Sequence, residues 1–293
     1  MKVKPECYPC ILKALLKTAR RVSEDEWLLR KVLGETMDVL RNSHTERTPP
    51  DIAAESYIRM AKLLGNRDPY AQERRDLNTL AKKVLPAARR LMSAAADPLF
   101  AALKIAAVAN QLDALTTELS SPQKILDAYD ATPFHAPDYE EFRNDIQNAA
   151  TLLFIFDNAG EIVFDTLLIE CLKKVNKNLS VTGVVRRAPM FNDATYEDAA
   201  DAGADRLATL TDCGIDVVGT PLHTCSKQFR DLFLSSDLVL AKGQGNYETL
   251  EGEVRPGQPF AGKAVYFLLT IKCEVIASFI GRSVGDAVLI KEG

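Results

Sequence analysis

A short run of bulky apolar residues, 152–156, lies near the middle of the chain. No polar residue interrupts it, which is typical of a strand that is buried on both faces of a parallel sheet. Asp157 and Asn158 follow this run directly, and Gly160 marks a turn. Apolar residues then recur at helical spacing over 162–171. The pattern therefore predicts a buried strand that ends in a polar turn and continues into a helix.

The second half of the chain repeats this alternation between apolar strands and helical stretches. Further strands are predicted at 179–185, 214–219, 238–241, 264–269 and 287–290. Strands that alternate with helices favour a parallel sheet with right-handed crossovers. The sequence therefore predicts an α/β fold with a mostly parallel, Rossmann-like sheet that is flanked by helices.

The first half of the chain shows the helical period throughout, without the alternation that is typical of strands. Pro86 lies within a long charged helical stretch and is expected to kink or split that helix. Residues 132–137 contain two prolines and form the best candidate linker. We therefore predict an all-helical cap or bundle over 1–137 and an α/β domain with the functional site over 138–293, packed as one compact unit.

Length and composition are those of a globular protein, with 293 residues, 47% hydrophobic and 26% charged, enough to bury a large core. The net charge of -4 gives no global basic field that would attract nucleic acid or anionic lipid. No apolar run approaches the roughly 18 residues of a membrane span, and no apolar signal segment follows Met1. Six cysteines spread along the chain argue against a disulfide framework. We expect a cytoplasmic protein without nucleic-acid or membrane partners.

Polar side chains recur where the predicted strands end. They are Asp157 and Asn158, then Asn192 and Asp193, then Lys242 and Asn246, and finally Lys272. Because the carboxyl ends of parallel strands meet at one edge of the sheet, these side chains can converge. Asp157, Asn158 and Asp193 would then hold one divalent cation through oxygen ligands, which Mg²⁺ and Mn²⁺ prefer.

The other polar residues are predicted to serve a substrate phosphate. We assign phosphate or substrate binding to Lys242, Gly245, Asn246 and Asn192, and catalysis to Asp157, Glu161 and Lys272. A lysine would neutralise the phosphate charge, and the helix that begins near Glu161 would present its amides. Glu161 can support the site or act as a general base. The nucleophile stays open between a metal-activated water and a carboxylate such as Asp157.

Each of these residues also has a structural interpretation. The residues from Asp157 to Gly160 are of types that are common in turns, and Asp193 can cap the helix that follows it. The glycines near Asn246 match neither the Walker motif nor the dinucleotide-binding motif. Their shared placement at strand ends is what favours a functional site.

Four motifs, taken in order, resemble those of one family. They are DNAGE at 157–161, NDAT at 192–195, KGQGNYE at 242–248 and KC at 272–273. With CYPC at 7–10, they resemble the DUF89 family of ARMT1-like damage-control phosphatases, and within it a mostly prokaryotic subgroup with an N-terminal CxxC. The resemblance covers the whole chain and implies an α/β fold with an N-terminal helical part.

The resemblance also implies a chemistry. A divalent cation, Mn²⁺, Co²⁺, Ni²⁺ or Mg²⁺, would be held by Asp157, Asn158 and Asp193. Lys272 and the loop of Gly245 and Asn246 would contact the phosphate and the rest of the substrate. The implied reaction is hydrolysis of phosphate esters of small metabolites, including sugar phosphates and damaged cofactor intermediates.

Two other functions stay open at this point. An S-adenosylmethionine-dependent methyltransferase acting on carboxylates would also use an α/β sheet with an acidic loop. The turn after Phe156 contains one glycine and not a glycine-rich cofactor loop, which argues against it. A non-catalytic protein that binds metal or metabolites would carry the same residues without turnover.

Cys7 and Cys10 allow three interpretations: half of a zinc site, a redox pair or packing at the start of a helix. Cys213, Cys225 and His223 are the nearest-spaced partners for zinc, and they form no second CxxC. Structural packing or an occasional disulfide is therefore favoured.

Overall fold

The computed structural model describes residues 1–111 and 123–292. The helices are α1 (Cys7–Arg20), α2 (Glu26–Asn42), α3 (Pro49–Leu64), α4 (Ala71–Ala94), α5 (Pro98–Ala109), α6 (Gln123–Ala131), α7 (Tyr139–Asn148), α8 (Glu161–Val175), α9 (Tyr196–Ala202), α10 (Lys227–Ser235), α11 (Gln244–Leu250) and α12 (Glu274–Ile280). The strands are β1 (Phe134–His135), β2 (Thr151–Ile155), β3 (Ser180–Val184), β4 (Thr209–Thr211), β5 (Leu238–Lys242), β6 (Val265–Thr270) and β7 (Ala287–Glu292).

These strands form one sheet in the order β1-β7-β6-β5-β2-β3-β4. The pairs from β6 through β5, β2 and β3 to β4 are parallel, and β1 is parallel to β7. β7 pairs antiparallel with β6. The predicted α/β fold with a mostly parallel sheet is confirmed.

The strand order changes direction between β2 and β5, which lie side by side. From β2 the chain moves outward to β3 and β4, and it then returns to the other side of β2 as β5. β5 is buried along its whole length, and β2 is buried from its second residue onward. The residues that follow β2 and β5 therefore lie at the crevice in which open α/β sheets bind ligands.

Two local predictions from the sequence are corrected by the structure. Residues 214–219 form no strand, because Gly214 and Gly219 have φ values of 81° and 70° that an extended ladder does not allow. The strand in this region is the earlier β4. Of the two outcomes expected for Pro86, a split is wrong, because α4 continues to Ala94, and a kink stays a prediction. Packing of α4 against α5 and α8 compensates for the free-energy cost of the backbone hydrogen bond that a proline cannot donate.

Helices cover both faces of the sheet. One face, which includes Phe154, packs against α4, α5, α7 and α8. The opposite face, which includes Leu153, packs against α10, α11 and α12. A third core lies between α1, α2 and α3, and it also takes in Met190 and Phe191 from the loop after β3. The N-terminal helices thus reach the loop in which Asp193 lies.

The helices of the first half are divided between two of these cores. α4 and α5 share the core of the sheet, whereas α1 to α3 have their own. Part of the predicted linker forms β1 and joins the sheet beside β7. The domain boundary at residue 137 stays a prediction. In the described part of the chain, no helix combines the length and apolar character that crossing a bilayer requires.

Candidate active site

Asp157 and Asn158 follow β2 and are joined directly to the loop that carries Asp193. The backbone carbonyl of Asp157 accepts a hydrogen bond from the amide of Ala194 at 2.8 Å. Asn158 and Asp193 form an isolated antiparallel bridge. This backbone pairing brings the three predicted metal ligands together, and none of the three residues is more than 7% exposed.

Two side-chain amides link Asp157 to Glu161. Asn158 Nδ2 donates to Asp157 Oδ2 at 2.7 Å and to Glu161 Oε2 at 3.1 Å. Asn110 Nδ2, at the end of α5, donates to the same two oxygens at 2.9 Å and 2.7 Å. Because the side-chain nitrogen Nδ2 of Asn158 donates these bonds, its side-chain oxygen Oδ1 is the atom that can coordinate a cation.

Lys242, the last residue of β5, is completely buried. Its ammonium group donates to Glu161 Oε1 at 2.5 Å, to Asp165 Oδ1 at 2.6 Å and to the carbonyl of Ala106 at 3.1 Å. Burial opposes the charge, but Asp165 and Glu161 outweigh it and raise the pKa of Lys242. Since an ammonium group has three N–H donors, none remains for a phosphate. We therefore correct the assignment of Lys242: it holds Glu161 and neutralises buried carboxylates.

The Asn246 side chain is also used within the protein. Its Oδ1 accepts hydrogen bonds from Thr220 Oγ1 at 2.9 Å and from Arg186 Nη2 at 3.2 Å. Its Nδ2 donates to the carbonyl of Lys242 at 2.7 Å and to that of Phe156 at 3.2 Å. These four bonds fill the capacity of the amide. This side chain therefore ties the end of β5 to the end of β2, and a substrate contact of Asn246 through its backbone amide stays a prediction.

Gly243 brings the backbone after β5 against the carboxylate of Asp157. Its φ is 79°, and a Cβ atom at this position would overlap that carboxylate. Gly245, at the start of α11, is half-buried near Val218 and Gly219. Its predicted contact with a substrate stays a prediction.

Arg186, which lies just after β3, binds Asp193. Its Nε donates to Asp193 Oδ2 at 2.6 Å, and Nη1 donates to the carbonyl of Gly219. Burial opposes the charge of the guanidinium, but Asp193 raises its pKa above the ordinary value. Arg186 therefore orients one predicted metal ligand and offsets part of the negative charge.

Asn192 precedes Asp193 and is 1% exposed. Its carbonyl accepts from the amide of Ala159 at 3.0 Å. Its Nδ2 has no hydrogen-bond partner among the described residues, which is rare for a buried donor. An N–H group of this kind is suited to a phosphoryl oxygen, and this supports the prediction that Asn192 binds substrate.

The residue before Asn192 anchors this loop to the N-terminal helices. Phe191 has a φ of 50°, and it is the one non-glycine residue with positive φ in the described ranges. Its ring lies 4.8 Å from that of Tyr57 on α3 and 6.4 Å from that of Tyr70, measured between centroids. Packing against α3 therefore maintains a backbone conformation that is unfavourable for phenylalanine.

Lys272 follows β6 and is half-buried. Its backbone amide donates to Gln244 Oε1 at 2.9 Å. Its positive charge lowers the pKa of Asp157 and of Glu248, against the stronger effect of burial on both carboxyls. The charge of Lys272 thus acts on the predicted metal site, while its contact with phosphate stays a prediction.

The amides at the start of α8 are engaged in the protein itself. The Gly160 amide donates to Asn78 Oδ1 at 2.7 Å, and the Ile162 amide donates to the Asn158 carbonyl at 3.1 Å. These contacts do not support the expectation that they bind phosphate. They instead fix the turn that carries Asp157.

The charge of the site suits a divalent cation. Burial, Glu161 and Asp193 raise the pKa of Asp157 well above its ordinary value, and Lys272 and Arg186 oppose this only in part. Four buried carboxyl groups face two buried cations, so acidic side chains outnumber basic ones by two (Asp157, Glu161, Asp165 and Asp193 against Lys242 and Arg186). Among the described residues, no three His, Cys, Asp or Glu side chains form a metal site on their own, and the set here includes an asparagine. Two aspartates and an amide oxygen fit a hard cation.

Sequence reasoning missed three residues that shape this site: Asn78, Asn110 and Arg186. Arg186 follows the predicted strand 179–185 directly, so the rule that identified Asp157 would also have found it. Asn78 and Asn110 lie in the helical half, and no local pattern distinguishes them.

Cys7 and Cys10 are free thiols at the start of α1. Cys7 is buried in the core of α1 to α3, and burial raises its pKa. A raised pKa disfavours a reactive thiolate, so the structure is consistent with the packing interpretation for Cys7.

Comparisons with known proteins agree with this architecture. The family model described as damage-control phosphatase ARMT1-like domain matches residues 3–288. An uncharacterized protein of Methanocaldococcus jannaschii is 34% identical over 99% of this chain and 96% of its own length. A protein of Archaeoglobus fulgidus named damage-control phosphatase is 31% identical over 98% of both chains.

A solved structure shows the same fold. The crystal structure of a DUF89 family protein from Pyrococcus horikoshii has a TM-score of 0.87 and 27% sequence identity, and the similarity covers 100% of both chains. A protein of the same organism named damage-control phosphatase is 29% identical over 94% of this chain and 93% of its own length. The chain therefore belongs to the DUF89 family, whose domain is described as the ARMT1-like damage-control phosphatase domain.

Proposed function

We propose that this protein is a metal-dependent phosphatase that hydrolyses phosphate monoesters of small metabolites, such as sugar phosphates or damaged cofactor intermediates. The observation that carries the proposal is the meeting of Asp157, Asn158 and Asp193 beyond the ends of the central strands, in a buried site where acidic side chains outnumber basic ones. Membership of the family and the names of two relatives support the same activity.

In this proposal Asp157, Asn158 and Asp193 hold the cation, with Mn²⁺, Co²⁺, Ni²⁺ and Mg²⁺ as candidates. When bound, a divalent cation offsets the charge of the phosphoryl group and acidifies a coordinated water. The protein keeps the ligand side chains in position. Asn110 fixes Asp157 through one carboxylate oxygen, and Arg186 fixes Asp193 in the same way. Partners of this kind are important for metal affinity.

The substrate phosphate would be held by this chain's own donors. The buried Nδ2 of Asn192 donates a hydrogen bond to a phosphoryl oxygen, and the Lys272 ammonium neutralises charge. Both carboxylate oxygens of Glu161 accept hydrogen bonds from Lys242, Asn110 and Asn158. Glu161 is therefore proposed to position the Asn158 amide. The choice between water and a carboxylate as nucleophile stays open.

The test is phosphate release from a panel of sugar phosphates and p-nitrophenyl phosphate. The protein is stripped with chelator and given Mn²⁺, Co²⁺, Ni²⁺, Mg²⁺ or Zn²⁺ in turn. We expect turnover to return with at least one metal and to be lost in Asp157→Ala and Asp193→Ala. Asp231→Ala is the matched control, because Asp231 is a surface carboxylate paired with Lys227.

Calorimetric titration of the same metals separates the alternatives. Metal binding without turnover on any ester would favour the non-catalytic protein that binds metal or metabolites. Thermal stabilisation by S-adenosylmethionine in the absence of metal would favour the methyltransferase. Full activity of Asp157→Ala would refute the assignment of the metal ligands. The cytoplasmic setting stays a prediction.

A further inference from the structure

Gln244, the first residue of α11, has no role in the proposed function. It follows Gly243, the residue that adjoins the Asp157 carboxylate. Its side chain reaches the residues that come after β6. Oε1 accepts a hydrogen bond from the backbone amide of Lys272 at 2.9 Å, and Nε2 donates to Cys273 Sγ at 3.5 Å. One side chain therefore links the loop after β5 to the loop after β6.

Glu248 completes the contacts of this side-chain amide. A backbone N–H group can only donate, so the atom of Gln244 that faces it must be the oxygen. The nitrogen then faces Glu248, one turn further along α11, and donates to its Oε1 at 3.0 Å. The three contacts together use the oxygen and both N–H groups of the amide. The orientation of the Gln244 side chain is therefore fixed on three sides.

The end of β6 is held by other elements as far as Ile271. The amide of Thr270 donates to Asn110 Oδ1 at 3.3 Å, which ties the strand to the end of α5. The amide of Ile271 donates to a carbonyl in the loop before β7 at 2.9 Å. Lys272 comes next, and its backbone amide is held by Gln244. This bond connects the backbone of Lys272 to the loop after β5.

A chain of contacts leads from Lys272 to the predicted metal site. The Asp157 carboxylate adjoins Gly243. Gln244 comes next in the chain and contacts the Lys272 backbone. β5 and β6 are adjacent parallel strands, so the residues that follow them lie at one edge of the sheet. A lysine attracts phosphate as a point charge, and this attraction depends on distance, so the position of the Lys272 backbone influences phosphate binding.

We infer that Gln244 is a positioning residue for phosphate binding, which holds the backbone of Lys272 so that the ammonium group of this lysine meets the substrate phosphate. The contact between Lys272 and phosphate rests on the proposed function, whereas the hold of Gln244 on Lys272 rests on their hydrogen bond.

Removal of the Gln244 side chain should weaken phosphate binding. In Gln244→Ala the Lys272 amide loses its acceptor, so the lysine is no longer held in one place. We expect the KM for p-nitrophenyl phosphate and the Kd for inorganic phosphate to rise about tenfold, the lower end of the effect of partners that orient ligands. Metal affinity should change far less, because the three residues that Gln244 contacts are not predicted metal ligands.

The test measures metal binding and phosphate binding separately on the intact protein. Calorimetric titration first gives the Kd of the metal that restores turnover, and inorganic phosphate is then titrated into the metal-loaded protein. Gln72→Ala is the matched control, because Gln72 Nε2 also donates to an acidic side chain four residues later, Asp76, at 2.9 Å on the exposed face of α4. It should change neither constant. Gln244→Met, which keeps the side-chain volume without these bonds, replaces Gln244→Ala if that variant does not fold.

Two double variants separate a positioning role from a purely structural one. Gln244→Glu combined with Glu248→Gln exchanges the amide and the carboxyl, so the Lys272 amide keeps an acceptor and the bond within α11 changes direction. This exchange should restore most of the phosphate affinity. In a Lys272→Met background, Gln244→Ala should weaken phosphate binding no further, because a positioning residue acts through the lysine.

An unchanged Kd for phosphate in Gln244→Ala would overturn the positioning role, and so would an equal further loss in the Lys272→Met background. A loss of metal affinity as large as the loss of phosphate affinity would also overturn it, because Gln244 would then support the whole site. If wild type neither hydrolyses an ester nor binds phosphate with any of the metals, the proposed function fails and the positioning role fails with it. Turnover by wild type with an unaffected Gln244→Ala refutes the positioning role alone.

Discussion

A Cβ atom on Gly243 would lie 1.9 Å from Oδ2 of Asp157, far inside the contact distance of two non-bonded atoms. Gly243 also has a φ of 79°, which side-chain-bearing residues rarely adopt. The Asp157 carboxylate after β2 therefore occupies the position that a side chain on residue 243 would need, and only glycine leaves that position free. The identity of Gly243 is linked to the position of Asp157.

We expect Gly243→Ala to displace the Asp157 carboxylate and to lower turnover by about 100-fold, the effect that a shift of a reacting group by about 1 Å can produce. Metal affinity, measured by calorimetric titration, should fall as well. Gly257→Ala is the control, because Gly257 has a φ of 84° but open space around its Cβ position. It should cost only backbone strain, about 1 to 3 kcal/mol. Equal effects of the two substitutions on metal affinity would contradict the steric explanation.

Removal of the buried ammonium group should destabilise the fold. Lys242→Met leaves Glu161 and Asp165 without their shared cation, and breaking such a buried pair costs about 3 to 5 kcal/mol. Urea unfolding measures this loss. The double variant with Asp165→Leu should recover part of it, because one uncompensated charge is removed. A phosphate-binding lysine would behave differently: KM would rise while the free energy of unfolding stayed the same.

Packing of Phe191 should influence metal binding from outside the ligand set. Phe191→Leu keeps an apolar side chain but loses the ring contact with Tyr57, and we expect the Kd for metal to rise about tenfold, as for partners that orient ligands. Phe142→Leu is the matched control. Phe142 is completely buried against Tyr266 in the core of the sheet. If both variants bind metal equally well, Phe191 only stabilises the fold.

The buried carboxyl of Glu248 should make stability depend on pH. Burial raises its pKa to about 7, with Gln244 and Lys272 opposing the shift in part. Below the ordinary pKa of 4.5 the carboxyl is protonated in both the folded and the unfolded state, so it does not reduce folding stability. As the pH rises toward 7, the unfolded state releases its proton first, and folding stability falls by about 2 to 3 kcal/mol.

The test of this dependence is Glu248→Gln, which keeps the hydrogen bond with Gln244 and cannot ionise. With chelator present, the variant should match wild type in urea unfolding near pH 4.5 and exceed it in stability at pH 8. A stability difference that is the same at both pH values would show that ionisation of Glu248 is not its cause.

The sequence points to the three predicted metal ligands because each lies near a strand or a turn that the local pattern of apolar and polar residues reveals. Asp157 and Asn158 follow a buried apolar run, and Asp193 lies in a polar turn after another. The same adjacency did not reveal that the side chains of Lys242 and Asn246 are held inside the protein, since a residue near the end of a strand can face the interior. Their hydrogen bonds to Glu161, Asp165 and neighbouring carbonyls depend on elements distant in sequence.

What the sequence by itself determined is the helical first half, the alternation of strands and helices in the second half, the mostly parallel sheet and the polar residues at its edge. These follow from periodicity and from the rule that parallel strands end at a common edge. Only the tertiary structure decided that α5 supplies Asn110, that Arg186 holds Asp193 and that Gly243 adjoins Asp157. The physical reason is that such contacts depend on which surfaces meet when distant segments pack. The spacing of residues along the chain does not predict which surfaces these are.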